Sequence, residues 1–97
     1  MASLTVELHL PAVHSLKEKR AVVRPILEGA RRRFAVAAAE VDHQDLWQRA
    51  TLGMATVSGS AGHAEDVLAG VERFVWSFPE VEVTACWRDW LDASQEP

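Results

Sequence analysis

The sequence has a single cysteine, no tyrosine and no long hydrophobic run. One cysteine excludes an internal disulfide and any metal site built from several cysteines, and it fits a reducing compartment. No apolar stretch approaches the ~20 residues that span a bilayer. The first residues also lack the basic and apolar regions of a signal peptide. We therefore expect a cytoplasmic protein that does not enter a membrane.

The usual marks of a catalytic or nucleotide-binding motif are missing as well. The five glycines are scattered and form no phosphate-binding loop. No Ser, Thr or Cys lies in an activating motif, and Cys86 sits in a strand pattern where cysteine packs as a small hydrophobe. We therefore assign no catalytic residue, no metal ligand and no cofactor, and we favour a binding protein over an enzyme.

What is present is the composition of one globular domain, with 97 residues, 48% of them hydrophobic and 25% charged. We expect this domain to cover residues 1–90 and the polar tail at 91–97 to be frayed. The net charge of -4 conceals an asymmetry, because seven of the ten basic residues lie between positions 17 and 33. A basic helix can bind a polyanion locally, although Arg and Lys are also good helix formers on a solvated face.

The spacing of apolar residues predicts four strands and two helices. Residues 4–10 alternate between apolar and polar, which is typical of a strand with one buried face. Ser15 opens a helix in a Ser-x-x-Glu capping box, and this helix carries an apolar stripe as far as Phe34, with Pro25 on the solvent side. Further strands are expected at 35–41, 51–58 and 81–88, and a second helix at 61–77.

The order β-α-β-β-α-β, combined with right-handed crossovers, makes each β-α-β pair parallel and lets the third strand insert between the first two. The predicted fold is therefore an α+β, ferredoxin-like sandwich, a four-stranded antiparallel sheet in the order 4-1-3-2 with both helices on one face. In this topology, the first strand-to-helix connection and the connection between the second and third strands meet at one end of the sheet. Residues 11–20 and 42–49 should therefore lie side by side.

The second of these connections is unusual, because a plain hairpin needs only two to five turn residues, often with Gly, Asn or Pro. Residues 42–48 contain none of these three. Three stretches of the chain resemble the YlxP-like family of small bacterial proteins of unknown function. They are Ala39-Glu40-Val41-Asp42-His43-Gln44-Asp45-Leu46-Trp47-Gln48-Arg49-Ala50-Thr51-Leu52-Gly53, Leu8-His9-Leu10-Pro11 and Ser15-Leu16-Lys17-Glu18-Lys19-Arg20. The resemblance covers about residues 3–88. It implies a ferredoxin-like fold and, through the family's neighbouring genes, a cytoplasmic role near RNA or the ribosome. It implies no activity and no catalytic residue.

The candidate binding residues lie at this edge and along the first helix. The basic stripe of the helix can contact phosphates, and an exposed Trp47 can stack one base. The usual sheet-face mode of RNA binding is not expected, because the outward residues of the first strand are Thr5, Glu7 and His9 and the third strand has no aromatic residue between Leu52 and Val57. We expect a non-enzymatic protein that binds RNA or a ribosomal subunit. The complete set of candidates is His14, Lys17, Lys19, Arg20, Arg24, Asp42, His43, Asp45, Trp47 and Arg49.

Two alternatives remain open. Asp42, His43 and Asp45, with His14 and Glu40 nearby, could form a small-molecule or metal-assisted hydrolytic site. The acids of the connector could instead bridge to the basic residues and lock the connector onto the first helix, with Leu46 and Trp47 plugging the end of the core. The protein would then be a structural or oligomerisation module only.

The second and third strands are apolar on both faces, with Val36 and Ala38 on one side of the second strand and Ala37, Ala39 and Val41 on the other. A sheet with one solvated face should alternate more cleanly, so the second face should be covered. We expect a homodimer through the open sheet face. A C-terminal tail folded back over the sheet is the alternative.

Overall fold

The computed structural model describes residues 1–90, so the predicted polar tail at 91–97 lies outside the described residues. The elements are β1 (Ala2–His9), α1 (Leu16–Phe34), β2 (Ala37–Asp42), β3 (Arg49–Thr56), α2 (Ala61–Trp76) and β4 (Glu82–Trp90). The four strands form one antiparallel sheet in the order β2-β3-β1-β4. The predicted strand order and the ferredoxin-like arrangement are confirmed.

The alternation along β1 separates the two faces of the sheet. Ala2, Leu4, Val6 and Leu8 are buried, while the residues between them are half-buried on the opposite face. The buried side of the sheet meets the apolar stripes of both helices, since these surfaces form one continuous core. The helical residues buried in that core are Val23, Ile26 and Ala30 of α1 and Ala64, Leu68, Val71 and Val75 of α2.

Helix α1 begins as its sequence predicts. The Ser15 hydroxyl accepts a hydrogen bond from the Glu18 backbone N–H at 3.1 Å, which satisfies one of the free donors of the first turn. The Glu18 carboxylate reaches back one residue further than in a standard capping box and accepts from the His14 N–H at 3.2 Å. Pro25 is exposed inside the helix, as expected from its position opposite the apolar stripe.

The two helices approach closely at two glycines that the sequence reading did not single out. The Phe74 ring of α2 lies where a Cβ atom on Gly29 of α1 would stand. The reciprocal contact places the Phe34 ring against Gly70, 2.8 Å from the position of a Cβ atom. The Phe34 and Phe74 rings pack against each other with centroids 5.9 Å apart. Each glycine therefore provides the space for an aromatic ring of the other helix.

Strand boundaries differ from the predicted ones where the register decides them. β3 was expected at 51–58 and lies at Arg49–Thr56, because β1 pairs His9 with Arg49 and Ala2 with Thr56. β4 extends to Trp90, which pairs with Ala2. The ends of a strand follow the length of its neighbour, since an unpaired backbone gains no ladder hydrogen bonds.

Within residues 1–90, no helix or loop covers the face of the sheet away from the helices. Along β2, Ala38 is buried under α1 while Ala37, Ala39 and Val41 are exposed, so the expectation of two apolar faces is confirmed for this strand. The outward residues of β1 include Thr5, Glu7 and His9, also as expected. Within residues 1–90, no helix has both the length and the apolar character needed to cross a membrane.

Candidate functional site

The two polar connections meet at one end of the sheet, as the topology predicts. The Leu10 backbone N–H donates to the Gln48 carbonyl at 2.9 Å. The Gln48 side-chain amide donates to the Val13 carbonyl at 3.1 Å and to the Pro11 carbonyl at 3.4 Å. The β1–α1 connection and the β2–β3 connector are therefore joined by direct hydrogen bonds, all of which involve the backbone or side chain of Gln48.

Lys19 is buried at the centre of this junction, with only 2% of its surface exposed. Its ammonium group donates to the His43 carbonyl at 2.6 Å and to the Leu46 carbonyl at 2.7 Å. It also forms an ion pair with the Glu40 carboxylate at 2.6 Å. Two of the three donors of the ammonium group are thus hydrogen-bonded to carbonyls, and the carboxylate balances its charge. Lys19 was expected on the exposed binding edge, and it lies inside the protein instead.

The predicted lock between the connector and α1 is thus present, and it consists of one ion pair and two hydrogen bonds to backbone carbonyls. Of the three acids proposed for this role, Glu40 pairs with Lys19. The Asp42 carboxylate accepts a hydrogen bond from the neighbouring His43 N–H at 2.8 Å. Asp45 is exposed and pairs with no basic side chain within the described part of the chain. Asp42 and Asp45 therefore leave the exposed cations of α1 without carboxylate partners.

His43 occupies a special backbone position in the connector. Its φ of 59° lies in the left-handed region, which His tolerates better than most residues. The ring is half-buried, and its Nδ1 atom lies 2.9 Å from the Thr51 hydroxyl. This conformation directs the His43 carbonyl toward Lys19 while the ring hydrogen-bonds to β3. The residue has a structural place in the connector, independent of any ligand.

Leu46 and Trp47 do not plug the end of the core, so that expectation is wrong. Leu46 is 44% exposed and Trp47 is 51% exposed. The Leu46 carbonyl is bound to Lys19, so the backbone of the connector faces α1 and the two side chains extend outward. Together with His9, Gln48 and Arg49 they line a shallow groove at the end of the sheet. The Trp47 ring is therefore available for an external contact.

The remaining basic candidates form an exposed surface on α1, which we call the basic face: Lys17, Arg20 and Arg24. These residues, with Glu28, line a shallow groove along the helix. None of the three is within ion-pair distance of a carboxylate of residues 1–90. Arg31, further along the same stripe, is held differently, because its guanidinium donates to the Ala38 carbonyl from Nε at 3.1 Å. His14 is exposed beside the start of the helix.

A metal-assisted hydrolytic site requires several ligand side chains that converge on one ion. Across residues 1–90, no group of three or more His, Cys, Asp or Glu side chains is placed to hold a metal ion. Burial, and then the negative charge of Glu72, raise the pKa of the Cys86 thiol above its ordinary value. A nucleophilic cysteine needs the opposite shift, which supports the interpretation of Cys86 as a packing residue.

Comparison with known proteins places this architecture in a family. A family model described as "Protein of unknown function (DUF503)" matches residues 1–88. The chain belongs to this family. A relative in Bacillus subtilis (strain 168), "Uncharacterized protein YlxP", is 45% identical over 77 residues, which cover 79% of this chain and 84% of the relative. The predicted membership of the YlxP-like family is confirmed, and the matched region includes both connections that form the junction.

Three features of this DUF503 domain escaped the sequence reading. The burial of Lys19 had a visible signal, because Lys19 precedes Val23, Ile26 and Ala30 at spacings of four, three and four and so lies on the apolar stripe. The bridging role of Gln48 had none. The role of Arg88 had no sequence signal either. Its guanidinium pairs with Glu65 at 3.1 Å and with Glu72 at 3.0 Å and links β4 to α2.

Proposed function

We propose that this protein is a non-enzymatic binding protein that contacts ribosomal RNA through the basic face of α1. The observation that carries the proposal is the unpaired charge of Lys17, Arg20 and Arg24 on successive turns of one helix. At 1.5 Å per residue, the basic face extends over ~10 Å. Three cations held in a row on a rigid element suit a nucleic-acid backbone, where phosphate contacts dominate affinity.

The internal pairing of Lys19 supports this division of roles. Four basic residues occur within positions 17–24, and of these only Lys19 pairs with an acid, Glu40 of β2. The acids of the connector therefore do not neutralise the basic face, although the connector and the start of α1 meet at one end of the sheet. The buried Lys19 binds an acid of the protein itself, whereas the three exposed cations of the basic face are available to an external partner.

The exposed Trp47 ring supplies a second type of contact. It lies on the connector that Lys19 holds against α1, and Arg49 shares its groove. An exposed aromatic ring beside an arginine suits an unpaired base, which stacks on the ring while the cation contacts the backbone. We therefore propose a recognition surface in which α1 contacts phosphates and Trp47 stacks one base. The choice of ribosomal RNA rests on the family resemblance.

The test is binding of the purified protein to ribosomal subunits and to ribosomal RNA at 50 and 200 mM salt. With three phosphate contacts, affinity should fall about 20- to 40-fold over this range. The variant Lys17→Glu/Arg24→Glu should lose binding at the higher salt, since two attractive contacts become repulsive.

A matched pair of single variants separates a local contact from net charge. Arg24→Glu and Arg73→Glu change the net charge equally, and both arginines are exposed on helices. Arg24→Glu should weaken binding at least about fivefold, and Arg73→Glu by less than twofold, because each phosphate contact acts locally. Equal losses in both variants, or no binding of the parent protein at either salt, would overturn the proposal.

A further inference from the structure

On the open face of the sheet, one edge carries a large side chain and the other edge carries small side chains. In the register of the strands, Trp87 pairs with Thr5, Thr5 with Gly53, and Gly53 with Ala39. This row crosses all four strands, and it runs from an indole ring on β4 to a methyl group on β2. The next row along the strands begins at Asp89 on β4 and also ends in small residues, at Ala55 and Ala37. We call the surface formed by Ala37, Ala39, Gly53 and Ala55 the small floor.

Two large apolar side chains that border this face are exposed in the described part of the chain. Trp87 is 42% exposed on one side of the sheet, and Val41 is 57% exposed on the other. The Val41 side chain leans over Gly53, where a Cβ atom would lie 3.1 Å from its Cγ1. The small floor is therefore a shallow recess that Val41 borders. The Trp87 ring lies at the opposite edge of the same face, on β4.

We propose that a second copy of this chain covers the open face, related by a two-fold axis that runs parallel to the strands between β1 and β3. This axis places β4 of one copy over β2 of the other, and β1 over β3. Each Trp87 ring then packs on the small floor of the other copy, against Val41. Sheets that pack face to face lie ~10 Å apart, a gap that a tryptophan can fill above alanine and glycine. The face is thus complementary to itself, as an isologous dimer requires.

The charged end of the face fits the same axis. His9 pairs in register with Arg49 on one side and with Glu82 on the other, and the His9 ring lies 2.7 Å from the Glu82 carboxylate. The two-fold axis brings Arg49 of each copy over His9 of the other, with the acids Glu82 and Glu7 around it. Arg49 therefore faces the acids Glu7 and Glu82 of the other copy, while Asp42, on the same face of β2, lies near Glu7 of the other copy.

Pairing through the edge of the sheet is disfavoured at β2. The Ala38 carbonyl accepts hydrogen bonds from the Arg31 side chain, and the Glu40 carbonyl accepts from the Gln44 amide at 3.0 Å. Side chains thus occupy two acceptors that an added strand would need. This arrangement favours the face over the β2 edge as the site of contact with a second copy.

The size of the face sets the expected strength. Four strands at ~4.8 Å spacing and eight residues at ~3.4 Å give a face of about 500 Å² per copy. The total of about 1,000 Å² is at the lower limit for a specific interface. The dimer should therefore dissociate on dilution, and its association should depend on a few central side chains.

Sedimentation equilibrium of the full chain over a wide concentration range tests the inference. The parent protein should change from monomer to dimer as the concentration rises. Trp87→Ala should raise the dissociation constant at least tenfold, because it removes the ring that fills the recess. Trp76→Ala is the matched control, since Trp76 is 60% exposed on α2, away from the sheet. It should leave the dissociation constant within twofold of the parent value.

A second variant makes the test independent of the loss of Trp87. Ala39→Lys adds a long cation to the small floor and should abolish the dimer, whereas Ala21→Lys, at an exposed position of α1, should not. Both variants should keep the far-UV circular dichroism spectrum of the parent. A parent protein that stays monomeric at every concentration, as expected if residues 91–97 cover the face, would overturn the inference. So would a dimer that survives both Trp87→Ala and Ala39→Lys.

Discussion

Lys19 shows how one residue can have a role opposite to that of its neighbours in sequence. Lys17, Lys19 and Arg20 look equivalent in a basic segment, yet only Lys19 is buried. Helical geometry decides this, because Lys19 shares its face with the apolar stripe while Lys17 and Arg20 lie on the outer side. Its charge is compatible with burial because one carboxylate and two carbonyls surround it.

We predict that Lys19→Met lowers the free energy of unfolding by about 3 kcal/mol, because it leaves the Glu40 carboxylate and two carbonyls without their donor. Urea denaturation followed by circular dichroism measures this change. Lys17→Met is the control and should stay within about 0.5 kcal/mol of the parent, since Lys17 is exposed and unpaired in the described chain. Equal stabilities of the two variants would show that the buried ammonium group does not hold the connector.

At the scale of elements, the contact between α1 and α2 depends on two glycines, because the absence of a side chain there leaves space for an aromatic ring. Glycine inside a helix costs roughly 0.5–1 kcal/mol relative to alanine, so Gly29 and Gly70 weaken their own helices. They allow the Phe34 and Phe74 rings to pack close to the opposite backbone. The propensity of each helix is reduced, while the contact between the helices is improved.

We expect Gly29→Ala to destabilise the protein by about 1–3 kcal/mol, although alanine is the better helix former, because the new methyl group overlaps the Phe74 ring. Gly62→Ala, in the first turn of α2, is the control. The nearest atom there is the Ser60 hydroxyl oxygen at 3.8 Å, so this change should be neutral or slightly stabilising. Thermal unfolding of both variants distinguishes the outcomes, and a raised melting temperature for Gly29→Ala would contradict the packing argument.

The elements also show where sequence reasoning is limited. The capping box predicted the start of α1 within one residue, because Ser15 and Glu18 act locally. The start of β3 was placed two residues late, because pairing between His9 and Arg49 extends the strand into the polar connector. Local signals predict the ends of helices well, whereas the ends of strands depend on a partner that is distant in sequence.

At the scale of the whole molecule, a single core joins both helices and the sheet. Buried residues from β1, α1, β2, β3 and α2 belong to one cluster, and β4 contributes half-buried residues such as Val83 and Cys86. Since no part of the described chain has a core of its own, the stability of each element depends on the others.

We therefore predict one cooperative unfolding transition. At a fixed protein concentration, urea curves from far-UV circular dichroism and from tryptophan fluorescence should superimpose. The fluorescence signal samples separate places, because Trp47 lies on the connector, Trp76 on α2, and Trp87 and Trp90 on β4. A fluorescence transition at lower urea than the loss of helix signal would show instead that β4 or the connector unfolds separately.

The sequence by itself determined the fold class, the strand order, the two apolar faces of β2 and the meeting of the two polar connections. Each of these follows from periodicity, capping and the handedness of crossovers, which act locally or by a general rule. The tertiary structure alone decided that Lys19 is internal, that Trp47 is exposed, and that Trp87 shares a row with Gly53 and Ala39. These facts depend on the exact register and on contacts between residues far apart in sequence, and no local pattern records them.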